Sequence, residues 1–296
     1  GSTPASSGIG NLLPPTNFGS MTNAGMEFNV SYEGGDSNYS DPNAFRYTIG
    51  VNGGYSKNTV EFIDEVSGAP EWQLQEGKPL GAYLLYEADG VWYDEAEIAG
   101  NTLDYSQVTP ELKPGDLKLV DYDGNGKIDA DDMVRQEDSF TPRFQYGITL
   151  DMSYKNFDLS ILFQGSQGGV ASLFNGEFGD WGNYYKYQHD NRWSIDNPSR
   201  VHPRLASRGD TWYTDGGYGN NTYNYGSTDY LRLKNLELGY NLPDSILGQG
   251  FISNFRLYAS GLNLLTFTEF DMTDPEVANR TYPLQKVWNL GLRVNF

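Results

Sequence analysis

The chain has 296 residues with 39 Asp and Glu against 20 Lys and Arg, a net charge of -19 and a pI near 4.3, a balance that excludes a phosphate-backbone partner and with it nucleic acid. Zero cysteines exclude a disulfide framework and thiolate metal sites. Mean hydropathy is -0.57, and no run approaches the roughly 18 apolar residues of a transmembrane helix, yet 35 Gly, 22 Tyr and 15% aromatics suit strands, turns and interfacial girdles; the fold class expected is all-β, with only alternate residues meeting lipid.

Gly1 is not preceded by a signal peptide or an initiator Met, so the chain is expected to begin after processing or within a longer protein. The first strand predicted, Ala24 to Tyr32, puts Met26, Phe28, Val30 and Tyr32 on one face, and the second, Phe45 to Tyr55, does the same with Tyr47, Ile49 and Val51. A short apolar stretch at Gly81 to Tyr86 is a candidate additional strand. Phe144 to Tyr154 turns Tyr146, Ile148, Leu150 and Met152 outward, and the pattern resumes at Phe157, Leu159, Ile161 and Phe163 after Lys155-Asn156 alone. Asn tolerates positive φ, so a tight hairpin is expected there. Further strands follow at Asp229 to Tyr240, Phe255 to about Leu264, and Gln285 to Phe296. The last alternates without a fault, with Trp288, Leu290, Leu292, Val294 and Phe296 opposite Asn289, Gly291, Arg293 and Asn295, as a lipid-facing barrel strand does.

Seven strands alternate direction, and their connections sort by length. Short ones (Glu33 to Asn43, Lys155-Asn156, Leu242 to Asn254) follow strands one, three and five. Long ones (Ser56 to Arg143, Gly165 to Thr228, Thr266 to Leu284) follow two, four and six. Outer-membrane barrels keep short turns in the periplasm and long loops outside, and closed barrels of this kind have an even strand number. The expectation is the carboxy-terminal piece of a larger transmembrane antiparallel β-barrel, with Gln145, Thr149, Asp151, Asp158, Ser160, Arg293 and Asn295 lining a polar lumen.

The first long loop carries a twelve-residue pattern that fits a Ca²⁺ loop: Asp121, Asp123, Asn125, the Lys127 carbonyl, Asp129 through water, and Asp132 as ligands at positions 1, 3, 5, 7, 9 and 12. Gly126 supplies the sharp turn and Ile128 the anchor. Asp132 stands where Glu is usual, one methylene shorter, and Asp116 to Val120 reads as extended, which argues against a full helix-loop-helix hand. The bland alternative is an acidic surface turn held by Asx hydrogen bonds. The second long loop holds twelve aromatics from Phe174 to Tyr225 among Gly, Asn and Asp. Trp181, Tyr184, Tyr185, Trp193, Trp212 and Tyr213 are the candidates to stack on substrate, against the alternative that they are the loop's own small core. An acidic surround favours neutral or cationic ligands. Catalytic groups are sparse: two histidines, no nucleophile elbow and no phosphate-cradling Gly loop, so an enzyme would need a carboxylate pair assembled by the fold, and a non-enzyme is expected.

Several segments resemble a known family in sequence and in order. Lys113-Pro-Gly-Asp-Leu-Lys, Ser153-Tyr-Lys-Asn-Phe-Asp-Leu-Ser-Ile-Leu-Phe-Gln-Gly165, Asp229-Tyr-Leu-Arg-Leu-Lys-Asn-Leu-Glu-Leu-Gly-Tyr240 and Ser260-Gly-Leu-Asn-Leu-Leu-Thr-Phe267 are similar to the carboxy-terminal portion of SusC-like TonB-dependent transporters of Bacteroidetes, as are Asn23-Ala-Gly-Met-Glu, Asn191-Arg-Trp193 and Asn197-Pro-Ser. The resemblance implies a 22-stranded plugged barrel in the cell outer membrane, energised by TonB, lidded by a SusD-like lipoprotein and importing oligosaccharides or peptides. The plug, the amino-terminal strands and the TonB-contacting part would then be supplied by the remaining amino-terminal portion. The reading from another class is a calcium-binding cell-surface adhesin or dockerin-like module.

Overall fold

The computed structural model describes residues 19–36, 41, 43–172, 186–206, 210, 220–247, 251–270, 274–277 and 284–296. Its strands, in chain order, are β1 (Gly19–Gly35), β2 (Arg46–Ile63), β3 (Leu84–Tyr86), β4 (Ala88–Val91), β5 (Leu117–Leu119), β6 (Met133–Arg135), β7 (Phe144–Tyr154), β8 (Phe157–Gln167), β9 (Val170–Ser172), β10 (Tyr225–Ser227), β11 (Tyr230–Asn241), β12 (Asn254–Thr268) and β13 (Val287–Asn295). The large sheet has seven strands in the order β1-β2-β7-β8-β11-β12-β13, which are the seven predicted strands as a meander, antiparallel and in register through each pair from β2 to β13.

Register converts the sequence alternation into two chemically distinct faces. Thr48, Asp151, Ser160, Glu237, Ser260 and Asn289 sit opposite one another as one polar row across six strands. The next row holds Tyr47, Met152, Leu159, Leu238, Ala259 and Leu290, all apolar or aromatic. Because side chains alternate faces along a strand, this places Gln145, Thr149, Asp151, Asp158, Ser160, Arg293 and Asn295 together on the polar side, as expected from sequence. The apolar face is open: Met26 is 71% exposed, Trp288 72%, Leu290 88% and Phe296 75%. An apolar face of this extent is far larger than water-facing surfaces tolerate.

Three strands run further than the sequence reading places them, β1 over Gly19–Gly35, β2 to Ile63 and β12 to Thr268, and two other details differ. The tight β7–β8 turn takes its positive φ at Lys155 (φ 52), not at Asn156; Asn156 instead donates its side-chain amide to the Asn241 carbonyl at 2.7 Å. The stretch at Gly81 to Tyr86 yields only β3, which pairs with β6 and not with the large sheet. Leu85 and Tyr86 are both buried, Tyr86 in the apolar core of the long-loop unit, so neither faces lipid.

The chain divides into two compact units. One, Gly25–Ser56, Pro142–Gly169 and Ser227–Phe296, contains the body of the large sheet. The other, Gly1–Ala24, Lys57–Thr141 and Val170–Gly226, contains two of the long connections. These connections have structure of their own, with β3–β6, β4–β5 and β9–β10 pairs, and a core of Tyr86, Val91, Trp92, Tyr105, Val108, Leu117, Leu119, Ile128 and Ala206. This unit also carries 26 acidic against 11 basic residues, so most of the net charge lies in it. No helix among the described residues is long and apolar enough to cross a membrane.

Candidate functional site

The acidic loop grows out of the core of the long-loop unit. Ile128 is fully buried in that core, and Asp104 brackets it, donating its N–H to the Gly126 carbonyl (3.0 Å) and accepting from Ile128 N–H (2.8 Å). Gly124 and Gly126 adopt φ 73 and 84, a region in which only Gly is unstrained. The turn lets Asp121 accept N–H groups from Gly124, Asn125 and Gly126 at 2.9 to 3.1 Å. Asp132 has no exposed surface and accepts from Tyr122 (2.7 Å) and Asp129 (2.9 Å). Burial holds its carboxyl above the ordinary value despite those donors.

Oxygens of Asp121, Asp123 and Asp132 lie within 4.8 Å of one another. Ligands on opposite sides of one Ca²⁺ stand about 5 Å apart, twice the usual Ca–O length, so these three fit around a single ion. The other sequence-predicted ligands are arranged differently. Asn125 turns its amide to Asp123 (2.9 Å) and its oxygen to Lys127 N–H (2.8 Å). Asp129 caps the short turn Ala130–Asp132, accepting from Asp131 N–H at 2.9 Å. A second layer clasps the loop from outside: Trp72 donates Nε1–H to the Asp131 carbonyl (2.7 Å), Gln73 donates to the Ala130 carbonyl (2.6 Å), and the Trp72 ring lies 5.3 Å from that of Tyr122.

Of the candidate stacking residues, Trp181, Tyr184, Tyr185, Trp212 and Tyr213 lie outside the described residues. Trp193 is half-buried, packs against the core of the long-loop unit and donates Nε1–H to the Tyr93 carbonyl at 3.1 Å. The segment it begins is clamped twice by arginine. Arg200 lies 4.4 Å from the centre of the Tyr93 ring and 3.2 Å from Glu97; hydrogen bonding from Lys118 and from Tyr93 N–H holds the Glu97 carboxyl down at about 2. Arg204 reaches Asp116 at 2.5 Å and forks onto Asp210 at 2.9 and 3.0 Å. Burial outweighs Arg204 at Asp116 and pushes its carboxyl up to about 6. Beside these clamps Ala88, Gly90, Leu117, Arg200, Val201, Thr222 and Tyr223 line a cavity of about 380 Å³, within the size range of small-ligand pockets.

On the sheet's polar face, Arg256 bridges Asp158 and Glu237 (2.8 Å), and Ser160 donates to Asp151 at 2.6 Å. On the same face Arg232, only 1% exposed, is bonded to Asp274 and Glu276. Sequence reasoning missed this group, although Asp274-Pro-Glu-Val277 is a turn signature.

A meander with an open apolar face and an opposite face that is mostly polar is the wall of a transmembrane β-barrel. Solved structures share this fold. A chain in the structure of the RagAB peptide transporter superposes on all of this chain, over 32% of its own length, with a TM-score of 0.66 at 24% identity. The RagAB peptide importer in its closed-closed state gives 0.63 over 95% of the chain and 30% of its own, again at 24% identity. No family model matches. In sequence, the chain is 31% identical to TonB-dependent receptor P3 of Formosa agariphila over 99% of its length, and 29% identical to receptor P26 of the same organism over 95%. It is 27% identical over 95% of its length to TonB-dependent receptor SusC of Bacteroides thetaiotaomicron. The chain is therefore related over nearly its whole length to SusC-like TonB-dependent receptors, and it spans 27 to 30% of the length of these curated relatives.

Proposed function

We propose that this chain supplies part of the barrel wall and the outer loop unit of an outer-membrane nutrient importer, energised by TonB and paired with a SusD-like surface lipoprotein. The cargo is an oligosaccharide or a peptide. The observation that carries the reading is the register of the large sheet: one face of six strands takes rows of apolar side chains suited to lipid, while the other is mostly polar and carries an unbroken row of Thr, Asp, Ser, Glu, Ser and Asn suited to a polar channel. The rest of the barrel, its plug and the TonB contact belong on this reading to the remaining amino-terminal part of the transporter. The acidic loop holds one Ca²⁺ through Asp121, Asp123 and Asp132, with Asn125, the Lys127 carbonyl and Asp129 completing the sphere directly or through water. There the ion fixes the loop unit and takes no part in transport chemistry. Trp181, Tyr184, Tyr185, Trp193, Trp212 and Tyr213 contribute stacking to the cargo or the lipoprotein.

The test is uptake by cells making the full-length transporter, set against a deletion strain and supplied with labelled oligosaccharides and labelled peptides of matched size. Loss of one uptake on deletion, restored by complementation and abolished without TonB, supports the reading. Recovery of the full-length protein in the soluble fraction without detergent overturns it.

A further inference from the structure

Arg232 is the least exposed arginine among the described residues, and the groups around it hold one turn of the last long connection. A bulge in β11 between Leu233 and Asn235 inserts Lys234 as an extra residue opposite β8. Such a bulge re-aims the side chains that flank it, and Arg232 and Lys234 consequently reach the same carboxylate, Glu276, at 2.6 and 2.8 Å. On the partner strand Asn263 takes φ 53, so the irregularity runs through both strands. Arg232 is paired in register with Gln164 and Thr266, donates Nε–H to the Thr266 hydroxyl at 3.0 Å, and so lies on the polar face.

The turn that meets it is stiff by its own sequence. Pro275 presets the backbone at the second position of a β-turn, Val277 N–H closes it onto the Asp274 carbonyl (3.2 Å), and Glu276 N–H bonds the Asp274 carboxylate (3.0 Å). Asp274 and Glu276 are thereby presented as a pair. One Arg232 terminal nitrogen meets both Asp274 oxygens at 2.8 Å and the other meets Glu276. Arg suits this because its planar fork addresses carboxylates in fixed geometry, where Lys offers a point charge.

We propose that Asp274–Val277 is an inward-folded constriction of the channel, anchored by Arg232 and Lys234, which limits the width of solute that can pass along the polar face at its long-connection end. The proposal rests on the import reading for its consequence, and on the Arg232 geometry alone for the position of the turn. It makes Arg232 and Lys234 positioning residues and the turn the part that meets the solute.

The experiment uses the full-length transporter in outer membranes, with Cys at Gln164 as the reporter beside Arg232. Maleimides of increasing size are added from outside to this background and to the same background carrying Asp274→Asn with Glu276→Gln, which keep shape and Pro275 but remove the charges. Labelling of the reporter by the large reagent is expected to rise on the order of tenfold or more in the double variant, because Arg232 and Lys234 lose both of their ionised partners, while the small reagent reacts equally in both. Lys234→Met, which leaves Arg232 in place, should give a smaller rise. Equal large-reagent labelling in parent and double variant, with both barrels resistant to detergent unfolding, overturns the constriction. If labelling rises but uptake of a size-graded cargo series keeps the same upper limit, the turn lies where stated and its role in selection is refuted. If no cargo is imported by any version, it is the import reading that fails, and the labelling result still decides the position of the turn.

Discussion

The Tyr258 ring lies across Gly291 on the neighbouring strand, so closely that a Cβ at 291 would overlap the phenol edge. The two are register partners of β12 and β13, on the face that also carries Arg256 and Arg293. Gly291→Ala should therefore destabilise the wall by about 1–3 kcal/mol, the usual cost of overpacking. Gly54→Ala is the control on the same face, because its Cβ would meet only Glu27 Cγ at an ordinary 3.5 Å. Urea titration of the assembled full-length barrel should separate the two variants.

The contribution of Asp116 to the stability of the loop unit should grow as pH falls from neutral toward 4, against that of the His202 ring, which burial holds below its ordinary value and which acts in the opposite sense. The Asp116 carboxyl is pushed up to about 6 by burial, from an ordinary value of 3.8. The folded state thus binds the proton more tightly than the unfolded one, and its contribution is fully present below 3.8 and lost as pH rises through 6. Glu97, held at about 2, acts in the opposite sense only below its ordinary 4.5. Hydrogen exchange at the Trp92 amide, bonded to the Asp116 carbonyl at 2.8 Å, should slow between pH 7 and 5 after correction for intrinsic rates. Asp116→Asn should remove that dependence.

Adding Ca²⁺ should protect the acidic loop, with affinity as weak as millimolar still acceptable for an extracellular site. Trp72 is a built-in reporter, since it is bonded to Asp131 and packed on Tyr122. At a hundredfold excess over Kd the stabilisation would be about 2.7 kcal/mol. Asp132→Asn should abolish the Ca²⁺-dependent change in Trp72 fluorescence, whereas Glu95→Gln, outside the loop, should leave it intact. An unaltered thermal midpoint across the whole calcium titration would leave an acidic turn and nothing more.

Trp193→Ala should cost about 2 kcal/mol in the loop unit, because a half-buried indole leaves a gap against Gly115 and an orphaned Tyr93 carbonyl. Trp181→Ala and Trp212→Ala should instead weaken uptake or lipoprotein capture without changing assembly. A Trp181, Trp193 and Trp212 triple Ala variant that imports and co-purifies like the parent would assign these rings to loop packing.

The barrel strands were legible because each face repeats with period two, as from Trp288 to Phe296, and because alternate connections differ so sharply in length. The small strands were not, since β3 to β6 are too short for a period to register and their core residues, Tyr86, Val91 and Leu117, face a core assembled from distant segments. In the acidic loop, spacing located the residues, but the division between the three converging carboxylates and Asp129 as a cap depends on φ values that spacing does not carry. Arg232 was invisible as a centre because its partners lie more than 30 residues away and meet it only through the β11 bulge.

The two-residue β7–β8 turn sets an order for assembly. Pairing β2 with β7 must close residues 56–143, whereas β7 with β8 closes only Lys155 and Asn156. Chain-closure entropy alone separates these by about 3 kcal/mol, so the β7–β8 hairpin is the seed onto which β2 and β11 dock from either side. A long-loop unit that collapses on its own core would shorten both of those searches by holding the ends of its segments near each other. The long connections would then act as a folding scaffold for the wall.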